Sequence, residues 1–164
     1  MQRRLIVMRH AKSDWNTDAP NDHARPLNAR GRRDAPRVAA RLVELGWTPG
    51  HVLSSDSCRT RETHERMAEA LGDLAETTFL RSLYHAGIDA LRDAMLEVDD
   101  ETSCAIALGH NPGWQHAVAW LCGESIEMTT ANAALLECDE ETWADALVRP
   151  RQWTLSDVVR PKEL

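Results

Sequence analysis

The sequence predicts a three-layer α/β/α sandwich with a mainly parallel central sheet, formed by a single domain over residues 1–164. Short apolar runs alternate with segments of helical period along the chain, a pattern typical of parallel strands covered by helices on both faces. The length of 164 residues is enough for one proper core, and no repeat or low-complexity tract divides it.

Five apolar runs are the candidate strands. The first, residues 4–8, has no polar break after Arg4, as in a strand that is buried on both faces. The others are residues 52–54, 77–80, 103–108 and 133–138. After Trp143 the apolar residues follow no clear period, and no element is predicted there.

Four helices are predicted between these strands. The first has Asn28 as a candidate N-cap and Gly46 as a candidate stop, with apolar residues recurring at i, i+3, i+4 and i+7 from position 35. Pro36 either kinks this helix or lies in the first turn of a helix that begins near Asp34. The other three span about residues 58–71, 88–98 and 112–121.

Composition and charge narrow the classes of function. Hydrophobic residues make up 43% of the chain and charged residues 27%, as in ordinary globular proteins. A net charge of −7 argues against nucleic-acid and membrane-surface partners. No apolar stretch approaches the roughly 20 residues that span a bilayer, and no signal-peptide pattern is present, so we expect a cytoplasmic protein.

The four cysteines form no C-x-x-C pair, which indicates reduced thiols.

Polar side chains follow three of the predicted strands. Arg9 and His10 come directly after the first strand, Arg59 lies just beyond the second, and His110 follows the fourth. Ligands in open α/β sheets lie beyond the carboxyl ends of the strands, so these two histidines and two arginines can converge on one pocket.

Such a group of residues suits phosphoryl transfer. The transferring group spreads its charge over three oxygens, and a planar guanidinium matches phosphate geometry with two hydrogen bonds. A neutral imidazole can attack phosphorus in line, while a second histidine donates to the oxygens. A metal site built from His10 and His110 lacks a carboxylate at diagnostic spacing, and no nucleotide-binding glycine motif is present, so no metal or cofactor is predicted.

Five motifs in order resemble those of the histidine phosphatase superfamily, especially its small SixA-like members. They are RHAKSDW (9–15), RPLNARG (25–31), SDSCRTRET (55–63), LYHA (83–86) and GHNPG (109–113). Together they cover roughly residues 5–121. The resemblance implies a phosphoglycerate mutase-like fold.

The resemblance also implies the roles of individual residues. His10 is the implied nucleophile, which forms a phosphohistidine intermediate that water hydrolyses. Arg9, Arg59 and His110 complete the implied catalytic phosphate pocket, and Asn16 occupies a position that often touches phosphate in this superfamily. The expected activity is that of a metal-independent phosphatase.

Two positions depart from the family pattern. Larger relatives carry a Glu or Asp that protonates the leaving oxygen, and residues 83–89 have no match for it, although His85 or Asp89 can supply a proton. An imidazole leaving group depends less on such an acid, which favours phosphohistidine in a protein as the substrate. Asp56 stands where proline is usual, and it would weaken phosphate binding if its carboxylate pointed inward.

Alternatives remain at this stage. One is a small-molecule phosphomonoesterase of the same superfamily, and another is a catalytically weak phosphoprotein-binding module. The expected partner is a phosphorylated protein or a small phosphorylated substrate, and the oligomeric state is left open. The arginines of the first helix form either a solvated face or a docking face for an acidic partner; they are Arg30, Arg32, Arg33 and Arg37.

Overall fold

The computed structural model describes residues 1–72 and 75–164. Within these ranges the strands are β1 (Gln2–Arg9), β2 (His51–Ser55), β3 (Glu76–Leu80), β4 (Cys104–Gly109), β5 (Ala133–Asp139) and β6 (Thr154–Val159). They form one sheet in the order β3-β2-β4-β1-β5-β6. Strands β1 to β4 are mutually parallel, whereas β5 is antiparallel to β1 and β6 is antiparallel to β5. The prediction of a mainly parallel central sheet is confirmed.

Helices cover both faces of the sheet, as in a three-layer sandwich. They are α1 (Ala29–Glu44), α2 (Cys58–Leu71), α3 (Ile88–Met95), α4 (Gly113–Cys122) and the single turn α5 (Trp143–Ala146). Side chains of strand β1 alternate between the two faces of the sheet. Ile6 and Met8 pack in the core beside α1 and α2. Leu5 and Val7 point the other way, into the core beside α3 and α4. The expected burial of this strand on both faces is therefore observed.

Three elements differ from the sequence prediction, and one of them is the single turn α5, which was not predicted. Strand β6 was not predicted; it is an edge strand with mostly exposed or half-exposed residues, and its pairing with β5 shifts register between Leu135 and Leu136. Helix α3 ends at Met95 rather than near residue 98, because the chain continues as a turn with i to i+3 hydrogen bonds. Pro36 lies inside α1, which begins at Ala29, so a start near Asp34 is wrong.

The strand order places three strand ends side by side. Arg9 of β1 is in register with Gly109 of β4, and Ser54 of β2 is in register with Leu108 of the same strand. The segments that follow β1, β2 and β4 therefore meet at one edge of the sheet. Among the described residues, no helix is long and apolar enough to cross a membrane.

Candidate active site

A cavity of about 180 Å³ opens at this edge of the sheet. It is lined by Arg9, His10, Lys12, Ser13, Trp15, Asp22, Arg25, Arg59, His85, His110, Asn111 and Thr130. The structure thus brings together the four residues with predicted catalytic roles. Asn16 is exposed and is not among the described residues that line the cavity, so its contact with substrate stays a prediction.

His10 is buried at the end of β1 with a fixed ring orientation. Its Nδ1 lies 2.6 Å from the carbonyl oxygen of Ala11, to which it donates when protonated. In that tautomer the Nε2 atom carries the lone pair. Burial, with a smaller effect of the neighbouring cations Arg59, Arg9 and Arg25, lowers the pKa of His10 to about 3, although the hydrogen bond to Ala11 opposes the change. The imidazole is therefore neutral, as a nucleophile must be.

Two motif residues hold the loop that follows His10. The Thr63 hydroxyl donates to the carbonyl oxygen of Arg59 at 2.7 Å and accepts from the amide of Ala11 at 3.0 Å. A Cβ at Gly31 would lie 2.2 Å from the carbonyl oxygen of Lys12, so only glycine allows α1 to approach this loop. The R-x-x-x-T and R-P-L-N-x-x-G spacings thus fix the loop against α2 and α1.

His110 packs beside His10, with ring centroids 5.2 Å apart. Its Nε2 lies 2.8 Å from the Ser55 hydroxyl, and its Nδ1 lies 3.4 Å from Nη2 of Arg59. Because a guanidinium cannot accept, Nδ1 is the acceptor and Nε2–H donates to Ser55. Burial, together with smaller effects of His10 and Arg59, lowers the pKa of His110 to about 2.

The two arginines bring buried positive charge to the cavity. Arg59 is 1% exposed, and the half-buried Arg9 donates through Nη1 to the carbonyl oxygen of Met128 at 3.1 Å. Burial lowers the pKa of Arg9, and Arg59 adds to the effect. The Nε atoms of both arginines are buried without an acceptor among the described residues. Unpaired buried donors are costly, and an anion bound to these guanidinium groups would offset that cost.

Asp22 holds several of the donors around the cavity. Its Oδ2 accepts from Nη2 of Arg59 at 3.0 Å, from Nε2 of His85 at 2.9 Å and from the Tyr84 hydroxyl. Its Oδ1 accepts from Nε of Arg25 at 3.1 Å. Although partial burial opposes the change, the hydrogen bonds from Tyr84, His85 and Arg59 hold the pKa of Asp22 well below its usual range. The Asp22 carboxylate therefore accepts hydrogen bonds from side chains that are also able to donate to a bound oxyanion.

The two candidate proton donors are separated by the fold. His85 lines the cavity, and its ring centroid lies 4.8 Å from that of His110. Asp89 instead lines a different surface cavity with Arg92 and Leu96. His85 also has a φ of 51°, a left-handed conformation that is uncommon for a residue other than glycine and often found at functional sites.

Asp56, which stands at the usual proline position, points away from the cavity. Its Oδ1 lies 2.7 Å from Nε2 of His23, and it does not line the cavity with Arg59 and His110. His23 in turn packs edge-on against Tyr84, with ring centroids 4.8 Å apart. The outward orientation keeps this carboxylate out of the anion site and also gives His23 a structural partner.

Sequence reasoning missed Asp22 and the contribution of Ser55. Asp22 lies in the polar segment between β1 and α1, and nothing in the composition of this segment distinguished Asp22 from Asp14 or Asp18. The signal that could have found it is its position three residues before Arg25, at a spacing that allows the Arg25–Asp22 ion pair observed at 3.1 Å.

The arrangement can bind and attack a tetrahedral oxyanion. It combines a neutral, oriented imidazole, a second imidazole, and one buried and one half-buried guanidinium group, each with an Nε that has no acceptor among the described residues. Within residues 1–72 and 75–164, no group of three or more His, Cys, Asp or Glu side chains is placed to hold a metal ion.

Comparison with known proteins identifies the family. Residues 5–135 match the sequence model of the histidine phosphatase superfamily (branch 1). The chain is 38% identical over 172 residues to the uncharacterized chloroplastic protein At3g52155 of Arabidopsis thaliana, covering 98% of this chain and 79% of that protein.

Solved structures agree in fold. A structure assigned as the phosphohistidine phosphatase SixA of Nakamurella multipartita superposes with a TM-score of 0.83 at 25% identity, covering 98% and 97% of the two chains. One assigned as SixA of Agrobacterium tumefaciens gives a TM-score of 0.80 at 22% identity, covering 97% and 98%. The predicted fold and enzyme class are confirmed, and the chain belongs to the histidine phosphatase superfamily, branch 1.

Proposed function

We propose that this protein is a metal-independent phosphatase in which His10 is the nucleophile and phosphohistidine in a protein is the substrate. The observation that carries the proposal is the orientation of His10. Its Nδ1 is engaged by the carbonyl oxygen of Ala11 at 2.6 Å, which leaves Nε2 as the nucleophilic nitrogen. The Nε2 lone pair attacks phosphorus in line, the bond to the leaving group breaks, and water then hydrolyses the phosphohistidine.

Arg9, Arg59 and His110 bind the phosphoryl oxygens in this proposal. The Nε atoms of both arginines lack an acceptor among the described residues, which fits donation to an anion. An incoming phosphate raises the pKa of a neighbouring imidazole, because an opposite charge favours the protonated form. His110 can then donate from Nδ1 to the charge that develops in the transition state.

His85 is the proton donor in this proposal. Its Nε2 lies 2.9 Å from Oδ2 of Asp22, and its side chain is 49% exposed, so the ring can exchange protons with water. His85 gives its proton to the leaving atom, and the neutral ring then takes one from the water that attacks the phosphohistidine at His10.

A small-molecule phosphomonoesterase is the second candidate, and the position of His85 is the observation that favours it. An ester oxygen needs a proton when it leaves, whereas an imidazole leaves more readily without one. The relative named SixA from Nakamurella multipartita, similar over nearly the whole chain, supports phosphohistidine as the first choice.

The test is a phosphatase assay with EDTA present, in which a phosphohistidine peptide runs beside an aryl phosphate. The proposal expects faster release of phosphate from phosphohistidine. A preference for the ester would favour the second candidate, and binding without release from either substrate would favour a phosphoprotein-binding module.

A further inference from the structure

We infer that a basic groove between α1 and the C-terminal residues binds acidic side chains of the polypeptide that carries the phosphoryl group. This inference rests on the proposed function and specifies its substrate class. The groove is a second cavity, of about 380 Å³. The residues that define the basic groove are Arg30, Arg33, Asp34, Arg37, Thr129, Thr130, Pro161, Lys162 and Leu164. Nη2 of Arg37 donates to the carbonyl oxygen of Leu164 at 2.9 Å, so Arg30, Arg33 and Lys162 supply most of the charge that is open to a partner.

The groove has an excess of exposed positive charge. Asp34 is the acidic side chain among its lining residues, and it is 8% exposed. Its carboxylate contacts Arg37 at 3.3 Å, Arg33 at 3.4 Å and Arg30 at 3.9 Å. One carboxylate cannot balance these three guanidinium groups together with Lys162. The Arg33 side chain remains 64% exposed, so its charge faces solvent.

The groove adjoins the catalytic cavity. Thr130 lines both cavities, and Nη2 of Arg30 donates to the Thr130 hydroxyl at 3.4 Å. A chain whose phosphorylated residue enters the cavity of His10 can therefore extend along Arg30 towards Arg33. The whole protein has a net charge of −7, so this local positive charge is what an acidic segment would meet.

The spacing of the arginines fits a chain better than a single small anion. Arg30, Arg33 and Arg37 follow one another at i, i+3 and i+7, on one face of α1. The first and last are therefore about 10 Å apart along the helix axis, which is two turns. Several carboxylates spaced along a polypeptide match such a row, whereas one phosphate group would engage only part of it.

Two synthetic peptides of equal length test the inference. Each contains one phosphohistidine, flanked on both sides by three glutamates in one peptide and by three glutamines in the other. At low ionic strength, the native protein should hydrolyse the Glu peptide with a kcat/KM about tenfold above that of the Gln peptide. A tenfold ratio corresponds to the summed free energies of a few surface ion pairs. The preference should fall at high salt.

A pair of double variants locates the effect. Arg33→Gln with Lys162→Gln should reduce the preference to about threefold, while turnover of the Gln peptide and of an aryl phosphate stays unchanged. Arg41→Gln with Arg66→Gln is the matched control, because these arginines are similarly exposed, pair with Glu44 and Glu62, and lie outside the groove. The control should keep the full preference.

Two results would overturn the inference. One is equal kcat/KM for the two peptides with the native protein, and the other is a preference that the Arg33 and Lys162 variant retains. If neither peptide releases phosphate, the proposed function fails; equilibrium binding of the two unphosphorylated peptides then tests the groove by itself. Binding of a single-stranded oligonucleotide as tightly as the Glu peptide would contradict the choice of a polypeptide partner.

Discussion

Two arginines, Arg3 and Arg59, are buried at opposite ends of the sheet and have different kinds of partner. Arg3 lies near the start of β1, fully buried, with its guanidinium 5.2 Å from the ring of Trp143. It donates to the backbone carbonyl oxygens of Asp100, Thr102, Glu140 and Glu141. Arg59 is 1% exposed and donates through Nη1 to one backbone carbonyl oxygen, that of Asp22, at 2.7 Å. Its Nη2 donates to the Asp22 carboxylate, which is 41% exposed, and its Nε has no acceptor among the described residues.

We propose that the difference separates a structural charge from a functional one. Backbone carbonyl groups around Arg3 cannot leave, so this cation joins the turns before β4 and after β5 permanently. The Asp22 carboxylate is 41% exposed, and in our proposal an oxyanion replaces it on Nη2 of Arg59. Equal burial of two arginines therefore has two meanings, and the exposure of the partner distinguishes them.

The largest expected effect is the loss of turnover when His10 is replaced. His10→Gln removes the nucleophile that no neighbouring group can replace, so kcat should fall at least about a thousandfold. The melting temperature should stay close to that of the native protein. Retained turnover in a clean preparation of this variant would contradict the assignment of His10.

Replacing Arg59 should reduce activity, whereas replacing Arg3 should reduce stability. Arg59→Ala should reduce kcat/KM by a factor that corresponds to about 2 kcal/mol or more, because a charge-assisted fork to the phosphoryl group is lost. Arg3→Ala should instead lower the free energy of unfolding by about 3 kcal/mol, because buried carbonyl groups lose their donor. Chemical denaturation and steady-state kinetics on both variants measure the two quantities. A loss of activity in folded Arg3→Ala equal to that of Arg59→Ala would remove the distinction.

His85→Gln should affect substrates according to their leaving groups. For an alkyl phosphate, kcat should fall about a hundredfold, because the leaving oxygen needs a proton. For an aryl phosphate, whose leaving group is more acidic, the change should be small. The ratio of the two effects is the measurement, and an equal loss on both substrates would indicate that His85 only positions other groups.

The two buried imidazoles predict a stability that declines in acid. The pKa of His10 is lowered to about 3 and that of His110 to about 2, whereas both are near 6.5 in the unfolded chain. The unfolded state therefore binds more protons below pH 6.5, and this contribution to stability is lost progressively as the pH falls. Each histidine should lower the free energy of unfolding by about 2 kcal/mol between pH 7 and pH 5. Urea unfolding of the native protein and His10→Gln should show a shallower decline in the variant; parallel curves would be inconsistent with a neutral His10.

The smallest expected effect concerns the exchangeable partner of Arg59. Asp22→Asn removes the negative charge that competes with an oxyanion, so the inhibition constant of inorganic phosphate should fall about threefold to tenfold. Asp18→Asn, which changes an exposed carboxylate of the same loop that does not line the cavity, is the control. Weaker phosphate inhibition in the Asp22 variant would contradict the premise that the Asp22 carboxylate and phosphate compete for Arg59.

The sequence was sufficient to predict the parallel strands of the core and the residues that lie together at their carboxyl ends. Strands such as β1 have an uninterrupted apolar run, and the residues directly after them must lie at the carboxyl edge of the sheet. Arg9, His10 and His110 were therefore expected at one edge, and the structure places them there. Their catalytic roles remain predictions until the variants are measured.

The elements and residues that were missed depend on contacts between distant segments. Strand β6 is an edge strand whose side chains are mostly exposed. Its pairing with β5 contains a register shift, so its apolar residues do not alternate regularly. Asp22 lies in a polar loop, and its role emerges only when Tyr84 and Arg59, 62 and 37 residues away in sequence, donate to it. Local patterns carry no information about such pairs.

The most direct test of the central claim is to trap the phosphorylated enzyme. The native protein is mixed with a phosphorylated substrate, quenched in alkali within milliseconds, and digested for mass spectrometry of the peptide that contains His10. We predict an acid-labile, alkali-stable phosphoryl group on His10, and none in His10→Gln. A phosphoryl group on another residue, or turnover without any phosphoenzyme in a quench fast enough to resolve it, would contradict the account.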